Sequence, residues 1–189
     1  MVLADAISPR RILEIGPGTG QATLPLTHLG DMTAVELSPE LAAVARSHAP
    51  AAQVVVADFD EWPLPAERFD LVVSATAFHW LDPATRMARC AAALRPGGAL
   101  AVISTHHVAG GTEQFFVDVQ EIYERWDPAT PPGLRLSPTA EIPREFDESD
   151  LFGEPDFTGT SGSRPTTPRR TRTCSSRTRT TSRCRPATS

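Results

Sequence analysis

A short apolar run that breaks straight into glycines constrains this chain more than any other stretch. Between Arg11 and Gly20 lie Ile12, Leu13 and Ile15 with one acid, Glu14, set among them, followed by Gly16, Gly18 and Gly20. The positions after the glycines, Ala22, Leu24, Leu26 and Leu29, suit one face of a helix. Strand, glycine turn and helix in that order predict the first crossover of a nucleotide-type α/β sheet. The turn demands unusual dihedrals, and a ligand must lie against bare backbone, so glycine is the residue required.

The spacing then separates two kinds of cofactor. A dinucleotide fingerprint reads G-x-G-x-x-G/A and needs Gly or Ala at position 21. Gln21 stands there, and the third glycine comes one residue early, at Gly20. Pro17 removes an N–H from the loop, which suits a pyrophosphate cradle poorly. Glu14 puts a carboxylate where a ligand ammonium fits. The pattern Glu14-x-Gly16-x-Gly18-x-Gly20 resembles the first motif of the class I S-adenosylmethionine-dependent methyltransferases. In that family the loop holds the methionine end of the cofactor. The resemblance implies Glu14, Gly16, Pro17, Gly18, Gly20 and Gln21 as cofactor contacts.

Length and charge set the outer bounds. A chain of 189 residues, 40% hydrophobic and 22% charged, fits one globular domain with a sizeable core. The net charge of −5 conceals a split, because residues 1–159 carry 10 Arg against 23 acids while residues 160–189 carry 8 Arg and no acid. An acidic body is unsuited to wrapping a polyanion. No apolar run approaches the length of a membrane span, and the N-terminus lacks a signal-peptide pattern. Cys90, Cys174 and Cys184 have neither metal spacing nor the count of a disulfide framework. A reduced, cytoplasmic protein without a metal is the expectation.

Further elements follow in order. Val2 to Ile7 reads as the end of a helix cut short, and members of the resembled family usually begin with a longer one, so the reading is an N-terminal truncation or a late start codon. Asp31–Glu36 reads as a second strand ending in an acid. Ser38 and Pro39 form an N-cap and first-turn pair for a helix with Leu41, Ala42, Ala45 and His48 on one side. A carboxylate at the end of strand two accepts from both ribose hydroxyls, which assigns Glu36, with Leu37 beside it. Residues 53–57 form a buried strand, and Trp62 and Leu64 plug the sheet edge after it. The family resemblance gives Asp58 the adenine amino group and Phe59 the face of the ring. Phe69–Ser74 is the fourth strand, resembling the family's F-D-hydrophobic-hydrophobic motif, and Ser74 and Thr76 at its end join the cofactor set. Residues 84–94 are helical, Arg95–Gly98 is a sharp stop, and residues 99–104 form the fifth strand. The Leu94–Leu100 run resembles the family's turn before strand five. Together these elements predict an α/β, Rossmann-like, doubly wound, mostly parallel sheet.

The C-terminal third is less regular. Residues 114–126 carry a helical apolar stripe, Phe115, Phe116, Val119, Ile122, Tyr123 and Trp126. Two readings stay open for it: a lid over the acceptor, within a substrate region of about 107–145, or a helix packed on the sheet. Residues 128–143 are proline-rich loop, and 146–157 approach a sixth strand. From Thr160 onward the composition collapses to Thr, Ser, Arg and Pro with no large apolar residue. Such a segment cannot bury enough surface to fold, so the sheet is expected to be incomplete at its C-terminal strands. The domain is thus 1–159, and 160–189 a disordered tail. The tail reads best as out of frame, because a neighbouring frame of ordinary codons gives an acidic, amphipathic continuation. A basic nucleic-acid arm is the competing reading.

Methyl transfer from a sulfonium is an in-line displacement, so the protein aligns donor and acceptor and excludes water. A base would serve an acceptor hydroxyl or acidic carbon. His79 follows strand four, and the His79-Trp80 pair resembles a branch of small-molecule methyltransferases of type 11 near the ubiquinone-biosynthesis-like and trans-aconitate-like groups. His79 is therefore the catalytic candidate, with His106 and His107 behind it and His28 and His48 structural. The expected cofactor is S-adenosyl-L-methionine and the expected partner a small-molecule acceptor, not nucleic acid or membrane. The alternatives are an inactive cofactor-binding remnant and an NAD(P)-dependent oxidoreductase.

Overall fold

The computed structural model of the chain describes residues 9–107, 113–127, 143–162 and 175–183. Its centre is a run of five strands, β1 (Arg11–Ile15), β2 (Asp31–Glu36), β3 (Gln53–Val56), β4 (Phe69–Ala75) and β5 (Leu94–His107). They pair in parallel in the order β3-β2-β1-β4-β5. Parallel strands covered on both faces read as near-continuous apolar runs. Ile12, Leu13, Leu71, Val72 and Val73 are accordingly at most 1% exposed. Ile15 pairs with Val35 and Ser74, and Glu36 with Val56, so the C-terminal ends of four strands come to one edge. The order runs outward both ways from the β1–β4 pair, which makes the crevice above that pair the place for a ligand.

The first two strands and the fourth match their sequence bounds closely, but β5 starts early. Phe69 pairs with Leu94 and Leu71 with Ala99, so the Arg95–Gly98 stop is a bulge inside the strand rather than a turn before it. Gly97, at φ +77°, supplies the dihedral that the bulge needs. Asp70 ties this end of the sheet together, accepting the N–H groups of Arg10 and Arg11 at 2.8 Å each and the Arg95 guanidinium. Partial burial raises its pKa, but Arg95 and the two N–H donors outweigh that and hold it below the usual carboxylate range.

The helix after the glycine turn, α1 (Thr23–Leu26), is shorter than its apolar face predicts. Thr27 donates its hydroxyl to the Leu24 carbonyl at 2.7 Å as the helix ends, while Leu26 and Leu29 still pack on the core. In α2 (Pro39–His48), Ser38 Oγ accepts from the Leu41 N–H at 3.2 Å, as the N-cap reading requires. Ala42 and Ala45 are fully buried, and His48 is exposed with Nδ1 3.1 Å from the Thr19 carbonyl. The helix α3 (Arg86–Ala93) buries Cys90 and Ala93. Burial, with the Asp60 charge added, pushes the Cys90 thiol up to about 12.

Contacts divide the described residues into two units. The first holds 9–104, 143–157 and 179–183; the second holds 105–107, 113–127, 158–162 and 175–178. In the second unit the expected stripe forms a helix, α4 (Glu113–Trp126), with Phe115, Ile122, Tyr123 and Trp126 exposed. In the first, residues 146–157 open with a short helix, α5 (Glu145–Glu148), that buries Phe146, and lead as expected into a sixth strand from Asp156. Beyond β5 the sheet order continues to β7 (Ser175–Arg183) and then β6 (Asp156–Gly162). Part of the stretch expected to lack structure is therefore strand. A ladder needs only main-chain N–H and C=O groups, and the β-branched threonines of this stretch suit an extended backbone. Val2–Ile7, residues 128–142 and the rest of the tail lie outside the described residues. Among the described residues, no helix is long and apolar enough to cross a membrane.

Candidate functional site

A cleft of about 400 Å³ opens at the C-terminal ends of β1 to β4, where the topology places a ligand. Gly16 and Gly18 form one wall, Glu36 and Leu37 another, Asp58 to Asp60 a third, and Thr76, Ala77 and Trp80 the fourth. Its titratable lining residues are Glu36, Asp58 and Asp60, all acids.

The glycine turn is held by its own main chain. Gly16 donates its N–H to the Val35 carbonyl at 2.9 Å, and Gly20 donates to the Pro17 carbonyl at 2.9 Å. Gly16 and Gly18 have φ of +65° and +58°, which L side chains rarely adopt. Their surroundings differ. A Cβ on Gly16 would lie 2.5 Å from the Ala77 Cβ, whereas one on Gly18 would meet nothing within 4 Å. The first glycine makes room for protein, and the second leaves open space beside the cleft.

Glu36 is only 6% exposed and both of its oxygens are engaged. Oε2 accepts the Gly18 N–H at 2.9 Å and Oε1 the Ser38 N–H at 3.0 Å. The carboxylate is thus oriented by the turn on one side and by the α2 cap on the other. An ionised carboxylate has about four acceptor sites, so lone pairs remain for ligand hydroxyls.

Glu14 has a different environment. It is fully buried, and Oε2 accepts the Thr23 hydroxyl at 2.6 Å while Oε1 is without a hydrogen-bond partner. Burial pushes its carboxyl up to about 7, the Thr23 bond offsets part of that, and the Glu36 charge adds to the rise. Its side chain turns to the first residue of α1 and does not line the cleft.

The segment after β3 folds back on itself. Asp58 Oδ1 accepts the Asp60 N–H at 2.9 Å, and the Asp58 carbonyl accepts from Trp62 at 2.7 Å. Phe59 is 4% exposed. Asp60 Oδ2 accepts the Asp82 N–H at 3.1 Å, joining this segment to the one after β4. There Thr76 has φ +60°, an outlier for a β-branched residue, and donates its N–H to the Ile103 carbonyl at 2.7 Å. A 3₁₀ turn, Phe78–Trp80, follows. Trp80 is 81% exposed, and the His79 ring lies 4.8 Å from it, tilted by 41°.

Of the residues singled out from sequence, Gly16, Gly18, Glu36, Leu37, Asp58, Phe59 and Thr76 come together on the cleft. Glu14, Pro17, Gly20, Gln21 and Ser74 do not line it. Pro17 and Gly20 are buried supports of the turn, and Gln21 is exposed. Ser74 is buried and donates its hydroxyl to the Ile15 carbonyl at 3.3 Å, tying β4 to β1. His79 is exposed and stands next to a lining residue rather than being one. For His106 and His107 the described residues give the β5 backbone alone. Sequence reasoning missed Leu41, Asp60, Ala77, Trp80 and Leu81; their signal was position, within a few residues of a strand end already assigned to the site. Among the described residues no group of three His, Cys, Asp or Glu side chains could hold a metal.

Comparison with known proteins bears directly on this cleft. A methyltransferase domain family matches residues 13–102, the segment that builds its walls. The chain is 39% identical over 95 residues to an uncharacterized methyltransferase of Mycobacterium tuberculosis, covering 50% of this chain and 39% of that protein. It is 35% identical over 104 residues to a ubiquinone biosynthesis O-methyltransferase of Rhodopseudomonas palustris, covering 52% and 41%. The chain thus spans about two fifths of the length of these relatives. In fold it resembles the N-methyltransferase NodS of Bradyrhizobium japonicum, solved with S-adenosylhomocysteine, at a TM-score of 0.62 and 17% identity over 96% of this chain and 81% of that one.

Proposed function

We propose that the chain binds S-adenosylmethionine in this cleft and transfers its methyl group to a small-molecule acceptor. The carrying observation is Glu36, fixed by the Gly18 and Ser38 N–H groups beside a glycine with open space over it. That arrangement suits a ribose, whose paired hydroxyls need an acceptor and whose approach needs bare backbone. The acids lining the cleft favour a cationic ligand over a pyrophosphate, and Pro17 offers no N–H to a phosphate. Both points count against a nicotinamide dinucleotide.

The cofactor, when bound, supplies the electrophilic methyl carbon. The work of this chain is then to hold and orient. Glu36 takes the ribose, Asp58 and Phe59 the adenine, Gly16 and Gly18 the methionine end, and Leu37 and Thr76 close the sides. His79, exposed beside Trp80, is the proposed group that receives the acceptor's proton. Domain limits of 1–159, with the acceptor region at about 107–145, belong to the same proposal, as does a reducing cytoplasm, where the free, buried Cys90 stays a thiol.

Calorimetry with S-adenosylhomocysteine tests the proposal. The unmutated chain should bind it, and Glu36→Ala should weaken binding at least about tenfold, since hydrogen bonds to a charged group are lost. No binding by the unmutated chain would overturn it.

A further inference from the structure

Two arginines on α3 treat the two segments that wall the cleft in the same way. Arg89 donates Nε to the Phe59 carbonyl at 3.0 Å and a terminal nitrogen to the Trp62 carbonyl at 2.8 Å, and its guanidinium carbon lies 5.3 Å from the Phe59 ring centroid.

 Three residues earlier on the same helix, Arg86 donates to the Phe78 carbonyl at 3.3 Å and lies 4.9 Å from the Phe78 ring centroid. Its other nitrogens bond the Glu145 carboxylate at 2.9 and 2.6 Å. Residues three apart share a helix face, so both guanidiniums leave α3 on one side. Neither arginine lines the cleft.

Each arm ends on a phenylalanine whose neighbours do face the ligand. Phe59 sits between Asp58 and Asp60, and Phe78 lies between Ala77 and the His79-Trp80 pair. A planar guanidinium can serve two carbonyls and an aromatic face at once, which a lysine ammonium on its flexible stem cannot do as well. We propose that α3 is a two-armed clamp in which Arg89 positions the adenine-facing segment and Arg86, braced by Glu145, independently positions the rim turn that carries His79 and Trp80. The inference rests on the proposed cofactor only for its binding readout; the clamp itself is a property of the chain.

Arg89→Met and Arg86→Met, which keep much of the apolar stem, separate the arms, and Arg89→Lys serves as a milder change that keeps the charge. Amide hydrogen exchange on the whole chain needs no ligand. Arg89→Met should speed exchange at Glu61 and Trp62 at least about tenfold and leave Trp80 and Leu81 within about twofold, and Arg86→Met should do the reverse. Adenosine and S-adenosylhomocysteine titrations give the second readout. Arg89→Met should raise both dissociation constants about tenfold and Arg89→Lys about threefold, with adenosine binding by Arg86→Met within about twofold of the unmutated chain. If Arg89→Met does not fold, Arg89→Lys decides. Equal exchange and binding effects from the two arms would reduce both arginines to general stability and overturn the proposal, as would no effect from either Arg89 variant. Failure of the unmutated chain to bind S-adenosylhomocysteine would overturn the proposed function instead, and the exchange pattern would still judge the clamp.

Discussion

The glycine turn after β1 and the segments after β3 and β4 reach the same cleft by opposite means. The turn is closed by its own backbone, Gly16 to Val35 and Gly20 to Pro17, and by dihedrals that glycine alone adopts easily. The other two segments are gripped from outside, by side chains of α3 that lie 30 and 8 positions away along the chain. A wall of the first kind is written where it stands. A wall of the second kind depends on a helix packing correctly before its shape is fixed.

The largest expected effect breaks the turn itself. Gly16→Ala places a methyl against Ala77 and forces an L residue to φ +65°, and should cost about 3 kcal/mol of stability in urea denaturation. A cost no greater than that of Gly18→Ala would show that Ala77 yields freely. Glu14 supplies the next effect. Its carboxyl is up to about 7 in the folded chain against 4.5 ordinarily, first through burial, so the folded state holds more protons than the unfolded one between those values. Stability should therefore fall as pH rises from about 4.5 through 7, by up to about 3 kcal/mol, and level off above. Glu14→Gln should flatten that decline, and parallel curves for the two proteins would remove Glu14 as its source.

Two smaller changes sharpen the contrast between dihedral and packing. Gly18→Ala shares the positive φ but meets nothing, so it should cost about 1 to 2 kcal/mol, the dihedral term alone. Thr76→Asn relieves a β-branched residue held at φ +60°, since asparagine tolerates that region, and should raise stability by about 0.5 kcal/mol, visible as a slightly higher Tm. A lower Tm would mean that the Thr76 hydroxyl bond to the Ala75 carbonyl outweighs the strain.

What could be read from the sequence follows the same division. The strands were legible because their burial is local: Ile12 to Ile15 and Leu71 to Val73 are apolar in unbroken runs. Gly18, Glu36 and Asp58 were legible because each sits at a fixed step from a strand end. Glu14 was placed on the cleft because spacing gives the position of a Cα but not the direction of a side chain within the pleat. Asp60 and the two arginines were invisible for another reason, since their partners lie 22, 30 and 8 residues distant and no pattern in one chain pairs them. The short α1 and the early start of β5 were missed where a hydroxyl bond at Thr27 and a bulge at Gly97 overrode apolar periodicity.

The Gly16–Ala77 contact carries a consequence for movement. One methyl group is the whole thickness of material between the turn after β1 and the segment after β4. With so thin a spacer and no free gap, neither piece can breathe inward without pushing the other, so fluctuations at the two sides of the cleft should rise and fall in step.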